Sequence, residues 1–164
     1  MVTQSGSWKR IRREAGVVLI SLAFLFPFTI SAHASGPDES PLDAIELTQM
    51  EQRADIAQPR DQCWMFAEVL HGLTELAGRQ MAAGDDLDAD VTLNHIDSVA
   101  AKMQKSSAGN AKRLKNAEML LDHITRRLTD MAHIATNRER GTMQNTLQAV
   151  NRLHTQVLNV IFAK

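Results

Sequence analysis

The sequence has little of what stabilises a cross-linked or strand-rich fold. It contains one cysteine, no tyrosine and few aromatic residues of any kind, 4% in all. A single cysteine cannot form an internal disulfide, so the stability must come from the burial of apolar side chains. No segment shows the alternation of apolar and polar residues that is typical of a half-buried strand. These absences exclude a disulfide scaffold and favour an all-α fold.

The longest apolar run lies near the N-terminus and has the pattern of a cleavable signal peptide. Four basic residues precede the apolar residues 17–30, and an Ala-His-Ala cleavage site follows at residues 32–34. The run has about 14 residues and contains Pro27, whereas a membrane-spanning helix needs about 20. We predict a signal peptide over residues 1–34, and an exported protein, periplasmic or secreted, with no integral membrane span after cleavage. A retained membrane anchor is the alternative.

The predicted mature chain is acidic overall, but its charge is uneven. It has 14 basic and 18 acidic residues, a net charge of −4. This balance disfavours nucleic-acid binding, because the neutralisation of phosphates requires a basic excess. Residues 35–100 carry a charge of −11 and residues 101–164 a charge of +7. The second half either offers a basic surface to an anionic partner or offsets the acidic helices beside it, and we favour the second interpretation.

Five helices are predicted after a disordered lead over residues 35–40. The first begins with Ser40 as N-cap and Pro41 in its first turn, and runs to about Gln58. It either packs on the other helices or extends the second one, since Pro59 breaks or kinks the chain there. The second covers about residues 60–83, the third begins in the acidic run 85–90 and ends before Ser106, the fourth covers about residues 110–135, and the fifth follows residues 136–141.

The helices carry apolar residues at alternating spacings of three and four, which place one stripe against a partner. The fourth helix has the clearest stripe: Leu114, Ala117, Leu121, Ile124, Leu128, Met131 and Ala135. Helices of matching length joined by short loops favour antiparallel packing. We predict an antiparallel up-down four-helix bundle with an additional N-terminal helix, in a single domain over residues 41–164.

Two acid-x-x-His pairs are the candidates for a metal site. Glu68 and His71 lie on the second helix, and Asp130 and His133 on the fourth. Bundles that bind two metal ions use such pairs from two helices, with one more carboxylate from each of the other two. Both pairs lie off the apolar stripes, and the fifth helix has no carboxylate after Glu139. We therefore predict no metal site, with Glu68 and His71 as solvated neighbours on the helix surface.

The acidic run at the start of the third helix has part of the spacing of a calcium loop. Its acidic positions are Asp86, Asp88, Asp90 and Asp97. The loop needs glycine at its sixth position and a bidentate glutamate at its twelfth, and this sequence has Val91 and Asp97 there. We therefore interpret the run as the cap and first turn of a helix, where carboxylates stabilise the helix dipole.

Nothing in the sequence indicates catalysis. Cys63 lies on an apolar stripe without an activating base nearby, so we interpret it as a small buried hydrophobe; a reactive thiol or an intermolecular disulfide is the alternative. No phosphate loop, Ser-His-Asp set or metalloprotease signature occurs. The sequence therefore predicts a protein that is not an enzyme and has no cofactor.

Three segments carry a resemblance to known proteins: residues 59–63 (PRDQC), 75–85 (ELAGRQMAAGD) and 112–123 (KRLKNAEMLLDH). Together they resemble a group of uncharacterised exported helical-bundle proteins of bacteria, over most of the second to fourth helices. The resemblance implies no activity. In size, export and methionine content the chain is also similar to small periplasmic helical chaperones and metal-stress sensors. It departs from their Leu-Thr-x-x-Gln signature, since Leu47 and Thr48 are followed by Glu51.

These observations give two hypotheses for the function. The first is an exported, non-enzymatic helical-bundle module whose partner is another envelope protein or a second copy of the chain. The second is a periplasmic protein that binds a metal or cofactor, a class that includes chaperone-like proteins and metal-stress sensors.

Overall fold

A computed structural model describes residues 42–107 and 113–163 of the chain. The predicted signal peptide (1–34), the predicted lead (35–40) and the predicted cap at Ser40 and Pro41 lie outside the described residues. All the described residues belong to one compact unit, Asp38–Lys164.

The described residues form five α-helices and no strand, which confirms the all-α prediction. In chain order the helices are α1 (Ala44–Asp55), α2 (Pro59–Ala83), α3 (Asp86–Ser106), α4 (Leu114–Ile134) and α5 (Arg140–Phe162).

The first helix begins at Ala44, later than the sequence analysis predicts. Its N-cap is Asp43, whose carboxylate accepts a hydrogen bond from the backbone N–H of Glu46 at 2.8 Å. The Glu46 carboxylate in turn accepts one from the backbone N–H of Asp43 at 3.1 Å. This reciprocal capping box satisfies two backbone donors at once.

The first two helices are separate. The α1 helix ends at Asp55, and Pro59 is the first residue of α2, where its missing N–H costs no helical hydrogen bond. At the other end, α2 stops at Gly84, which adopts the left-handed conformation with φ 79°. Only Gly84 and Asp85 separate α2 from α3, so these two helices form a tight antiparallel hairpin.

The predicted apolar stripes form the core. All seven stripe residues of α4 are at most 8% exposed. The predicted stripes of α2 and α3 are also buried: Cys63, Phe66, Leu70, Leu73, Ala77, Leu93, Ile96, Ala100 and Met103. Each large apolar side chain that is fully buried in this way contributes about 1.5–3 kcal/mol to stability.

The contacts among α2, α3, α4 and α5 form a ring, in which each helix packs on two others. The α2 helix packs on α3, α3 on α5, α5 on α4 and α4 on α2, while α1 packs on α2. The pairs α2–α4 and α3–α5 each run parallel, because the numbers of their contacting residues rise together. The contacts are His71 with His123 and Glu75 with Arg127 in the first pair, and Leu93 with Thr146 and Gln104 with Gln156 in the second. The sequence prediction of antiparallel packing does not anticipate these two parallel pairs.

The N-terminal helix is held on the others by an apolar and a polar contact. Leu47 packs on Gly72 of α2. On the α3 side lies a set of charged residues that we call the Glu51 network: Glu51, Asp55, His95 and Lys102. Glu51 is only 9% exposed, and its carboxylate lies 2.6 Å from His95 Nε2 and accepts a hydrogen bond from Lys102 Nζ at 2.9 Å. Lys102 also donates to Asp55 at 2.7 Å, so Glu51 and Asp55 of α1 are both paired across this interface.

No helix in the described ranges combines the length and the hydropathy that crossing a bilayer requires.

Candidate metal site

Two parallel helices bring two histidines and a glutamate together at the surface. His71 and Glu75 are one turn apart on α2, so their side chains share a face. His123 lies on α4, which runs beside α2 in the same direction. We call these three residues the His71 cluster.

The ligand atoms of the His71 cluster are close enough to converge on one ion. One imidazole nitrogen from each histidine and one carboxylate oxygen of Glu75 all lie within 4.8 Å of one another. The two imidazole rings have centroids 5.2 Å apart and are tilted by 52°. Among residues 42–107 and 113–163, this is the one group of three histidine, cysteine or acidic side chains with that property.

The surroundings of His71 favour its neutral form. Burial lowers the pKa of His71, the nearby imidazole of His123 lowers it further, and the carboxylate of Glu75 opposes both effects. A neutral imidazole has a free lone pair, and a metal ion binds only that form. At neutral pH His71 therefore presents a free nitrogen lone pair beside the carboxylate of Glu75.

Two histidines and one carboxylate suit a divalent transition metal. This set occurs at zinc sites and at facial iron sites, whereas calcium and magnesium prefer oxygen ligands alone. Ligands at about 2.1 Å from a tetrahedral ion are about 3.4 Å apart. The three atoms must therefore approach one another by up to about 1.4 Å, which rotations of these partly exposed side chains can provide. Three protein ligands leave at least one coordination position open to water.

One arginine, Arg127, contacts the cluster, whereas Arg113 lies nearer the start of α2, beside Trp64. Arg127 of α4 places its Nε 3.5 Å from Glu75 Oε1, a long ion pair between partly exposed side chains. The guanidinium of Arg113 lies 5.1 Å from the ring centroid of Trp64. Trp64 precedes Glu68 by one turn of α2. Burial raises the pKa of Glu68, and the positive charge of Arg113 partly offsets this effect.

Of the four metal candidates named from the sequence, the structure brings only His71 into a cluster. Glu68 lies one turn before it and is not part of the group. Asp130 and His133 are exposed on α4, beyond His123 by about 10 Å and about 15 Å along the helix axis. The four residues therefore do not converge. Glu68 and His71, which the sequence predicts as solvated neighbours on the helix surface, are both of intermediate burial.

Sequence reasoning missed Glu75 and His123. The acid-x-x-His spacing drew attention to residues three apart, whereas the cluster uses a histidine and a glutamate four apart, which lie on one face just as well. That spacing is visible in the sequence. The pairing with His123 is not, because it depends on the register between α2 and α4.

The calcium-like residues lie on a helix. Asp86, Asp88 and Asp90 occupy the first turns of α3, and Asp97 lies further along the same helix. Asp86 and Asp97 are about 16 Å apart along its axis, at 1.5 Å per residue. They cannot bind one ion together, so the run forms an acidic first turn of α3.

Cys63 is a free thiol in the core. It is 0% exposed, and burial raises its pKa to about 11. The thiol therefore stays protonated at neutral pH, and the residue packs as a small hydrophobe.

A shallow groove lies between α3 and α5. Asp97, Gln104 and Arg152 are among the residues that line it. Burial raises the pKa of Asp97, which a hydrogen bond from Thr146 and the charge of Arg152 oppose. The groove has an acid and a base but no set of converging ligands.

No protein-family model, curated protein or solved structure matches the chain. The resemblance to exported helical-bundle proteins therefore stays a prediction.

Proposed function

We propose that this chain is an exported helical-bundle protein that binds one divalent transition-metal ion between α2 and α4. The observation that carries the proposal is the approach of His71, Glu75 and His123, whose ligand atoms lie within 4.8 Å of one another. This favours the second of the two hypotheses drawn from the sequence.

The fold and the location form part of the proposal. We infer an up-down four-helix bundle of α2–α5, with α1 as an additional helix. The reason is that each of these four helices packs on two of the others, so that their contacts form a ring. Export is inferred from the basic and apolar N-terminus and its cleavage pattern. Binding rather than catalysis is proposed because His123 is exposed and the site is open to water, whereas enzymes enclose their reacting groups.

A titration with zinc tests the proposal. The purified protein competes for Zn²⁺ with a chromophoric chelator, and Co²⁺ absorbance reports how many protein ligands the ion has. We expect one ion per chain in the wild type and none in His71→Asn. The matched control is His95→Asn, which removes another half-buried histidine beside a glutamate. Absence of saturable binding, or equal binding by His71→Asn and the wild type, contradicts the proposal.

An interaction module is the second candidate, and an exposed apolar end of the molecule favours it. Ile56, at the end of α1, is 86% exposed, and Phe162, at the end of α5, is 79% exposed. Both lie at the end of the molecule where Lys102 contacts Asp55 and Gln156 contacts Ser107. Apolar side chains exposed at one end of a molecule are candidates for a contact surface.

Sedimentation of the wild type and of Ile56→Ser/Phe162→Ser tests this candidate in its self-association form. We expect the wild type to sediment as a larger species, and the double variant as a monomer. A monomeric wild type excludes self-association, and crosslinking in the envelope then tests for a different partner.

A further inference from the structure

The carboxylate of the His71 cluster is paired with a cationic side chain. Arg127 Nε lies 3.5 Å from Glu75 Oε1, so the carboxylate that would bind the metal is paired with a guanidinium. Both side chains are partly exposed, and ion pairs in that setting are weak and easily exchanged.

A glycine of α2 leaves room for the guanidinium of Arg127. Gly78 lies one turn after Glu75 on α2, and a Cβ added there would meet the Arg127 Nη2 atom at 2.9 Å and its Cζ at 3.5 Å. Real Cβ atoms essentially never come within 3.0 Å of another atom, so a side chain at residue 78 would move the Arg127 guanidinium aside. The absence of a side chain at residue 78 therefore leaves the space in which Arg127 lies across α2, beside the cluster.

We infer that Arg127 is a built-in competitor of the metal ion, which holds Glu75 in the empty protein and is displaced when the ion binds. This inference rests on the proposed metal binding. The guanidinium and the ion are both cations that need the same carboxylate, so occupation by one opposes the other. The competition lowers the metal affinity and makes the site one that exchanges its ion, in contrast to a structural site that keeps it.

Removing the charge of Arg127 tests the inference. We expect Arg127→Gln and Arg127→Met to bind Zn²⁺ about 3- to 30-fold more tightly than the wild type, the range expected for one neighbouring charge near a protein surface. The matched control is Arg126→Gln, the same charge change one residue away, where the arginine pairs with Asp122 at 2.8 Å. It should leave the affinity within about twofold, since that pair lies outside the cluster.

The salt dependence separates a charge effect from a change of structure. Because salt screens the repulsion between Arg127 and the ion, the gap between the wild type and Arg127→Gln should narrow as the ionic strength rises. Circular dichroism of each variant establishes that the helices are intact.

The outcomes distinguish this inference from the proposed function. If the wild type and the Arg127 variants all bind no zinc, the proposed function fails and the inference falls with it. If the wild type binds and His71→Asn does not, but Arg127→Gln binds like Arg126→Gln or more weakly than the wild type, the inference is overturned and metal binding stands.

Discussion

The His71 cluster and the Glu51 network are built from similar groups and differ in how those groups are paired. Each sets histidine beside glutamate across two helices. In the Glu51 network the carboxylate is buried and bonded to both His95 and Lys102. In the His71 cluster the carboxylate has one long contact with Arg127, and the two imidazoles have each other as neighbours.

The difference shows that such a cluster can accept a metal ion only where its carboxylate is not already held tightly by a cationic side chain. The Glu51 network has its own ammonium, and hydrogen bonds to Asp55 and Glu51 raise the pKa of Lys102, which keeps it charged. An added metal ion would have to expel it. The His71 cluster has two imidazoles and a weakly held carboxylate, and a metal ion would add a cation to groups that can coordinate it.

The largest expected effect comes from making the His71 cluster resemble the Glu51 network. In His123→Lys an ammonium replaces an imidazole and pairs with Glu75, so we expect the affinity for zinc to fall by about 100-fold or more, a loss at the upper end of what perturbing a metal site costs. The measurement is the shift of the thermal midpoint with zinc, which at 100 times the dissociation constant corresponds to about 2.7 kcal/mol in the wild type.

The control for that variant is His133→Lys, which makes the same change at an exposed position on the same helix. It should keep the zinc-dependent shift. If His123→Lys keeps the shift too, the ion binds elsewhere.

The next effect concerns the free energy of unfolding, which the substitution of Glu51 should lower more than the substitution of Glu75. Glu51→Gln removes a buried charge with two short partners, so we expect the free energy of unfolding to fall by about 1–3 kcal/mol. Glu75→Gln should change it by no more than about 0.5 kcal/mol, because the pair with Arg127 is long and partly exposed. Urea unfolding without metal measures both, and equal losses would show that the two clusters do not differ as described.

A smaller effect on the free energy of unfolding is expected when the pH is lowered. The folded-state pKa of His71 lies below the ordinary 6.5, because burial and His123 disfavour its charged form more than Glu75 favours it. Below about pH 6.5 the unfolded chain therefore binds more protons at this residue than the folded one, and the free energy of unfolding falls as the pH falls.

Unfolding in chelator at several pH values measures this loss. In His71→Gln the fall with decreasing pH should be shallower than in the wild type. Identical pH profiles would mean that His71 is as well solvated in the folded protein as in the unfolded one.

The smallest effects are expected at the acidic start of α3, which has oxygen ligands alone. Asp86→Asn and Asp88→Asn should each cost about 0.3–1 kcal/mol through the helix dipole. Millimolar calcium should leave the melting midpoint unchanged, since these carboxylates follow a helix and do not enclose an ion. A calcium-dependent rise that Asp88→Asn removes would contradict this assignment.

Local patterns in the sequence predicted the helices well. The stripe of α4 was predicted residue by residue, since a repeat of three and four depends only on neighbours along one helix. The end of α2 at Gly84 and its start at Pro59 follow from the same local rules. The start of α1 at Asp43 was missed because two cap signals lay close together, and the reciprocal one prevailed.

Features that depend on three helices at once were not predictable. Val69 and Ala67 are fully buried although they lie outside the predicted stripe of α2, because that helix contacts α1, α3 and α4 together. Glu51 has the sequence signal of a surface residue and is buried by α3. His123 meets His71 only through the register between two helices that are not consecutive in the chain.

The parallel arrangement of α2 and α4 has one more consequence. His71 and Glu75 belong to the first helical hairpin and His123 to the second, so neither hairpin alone has the full ligand set. An ion bound there would join the two halves of the molecule, and its occupancy would report that they have docked. A chain that is still unfolded, or one whose halves have separated, would release the ion.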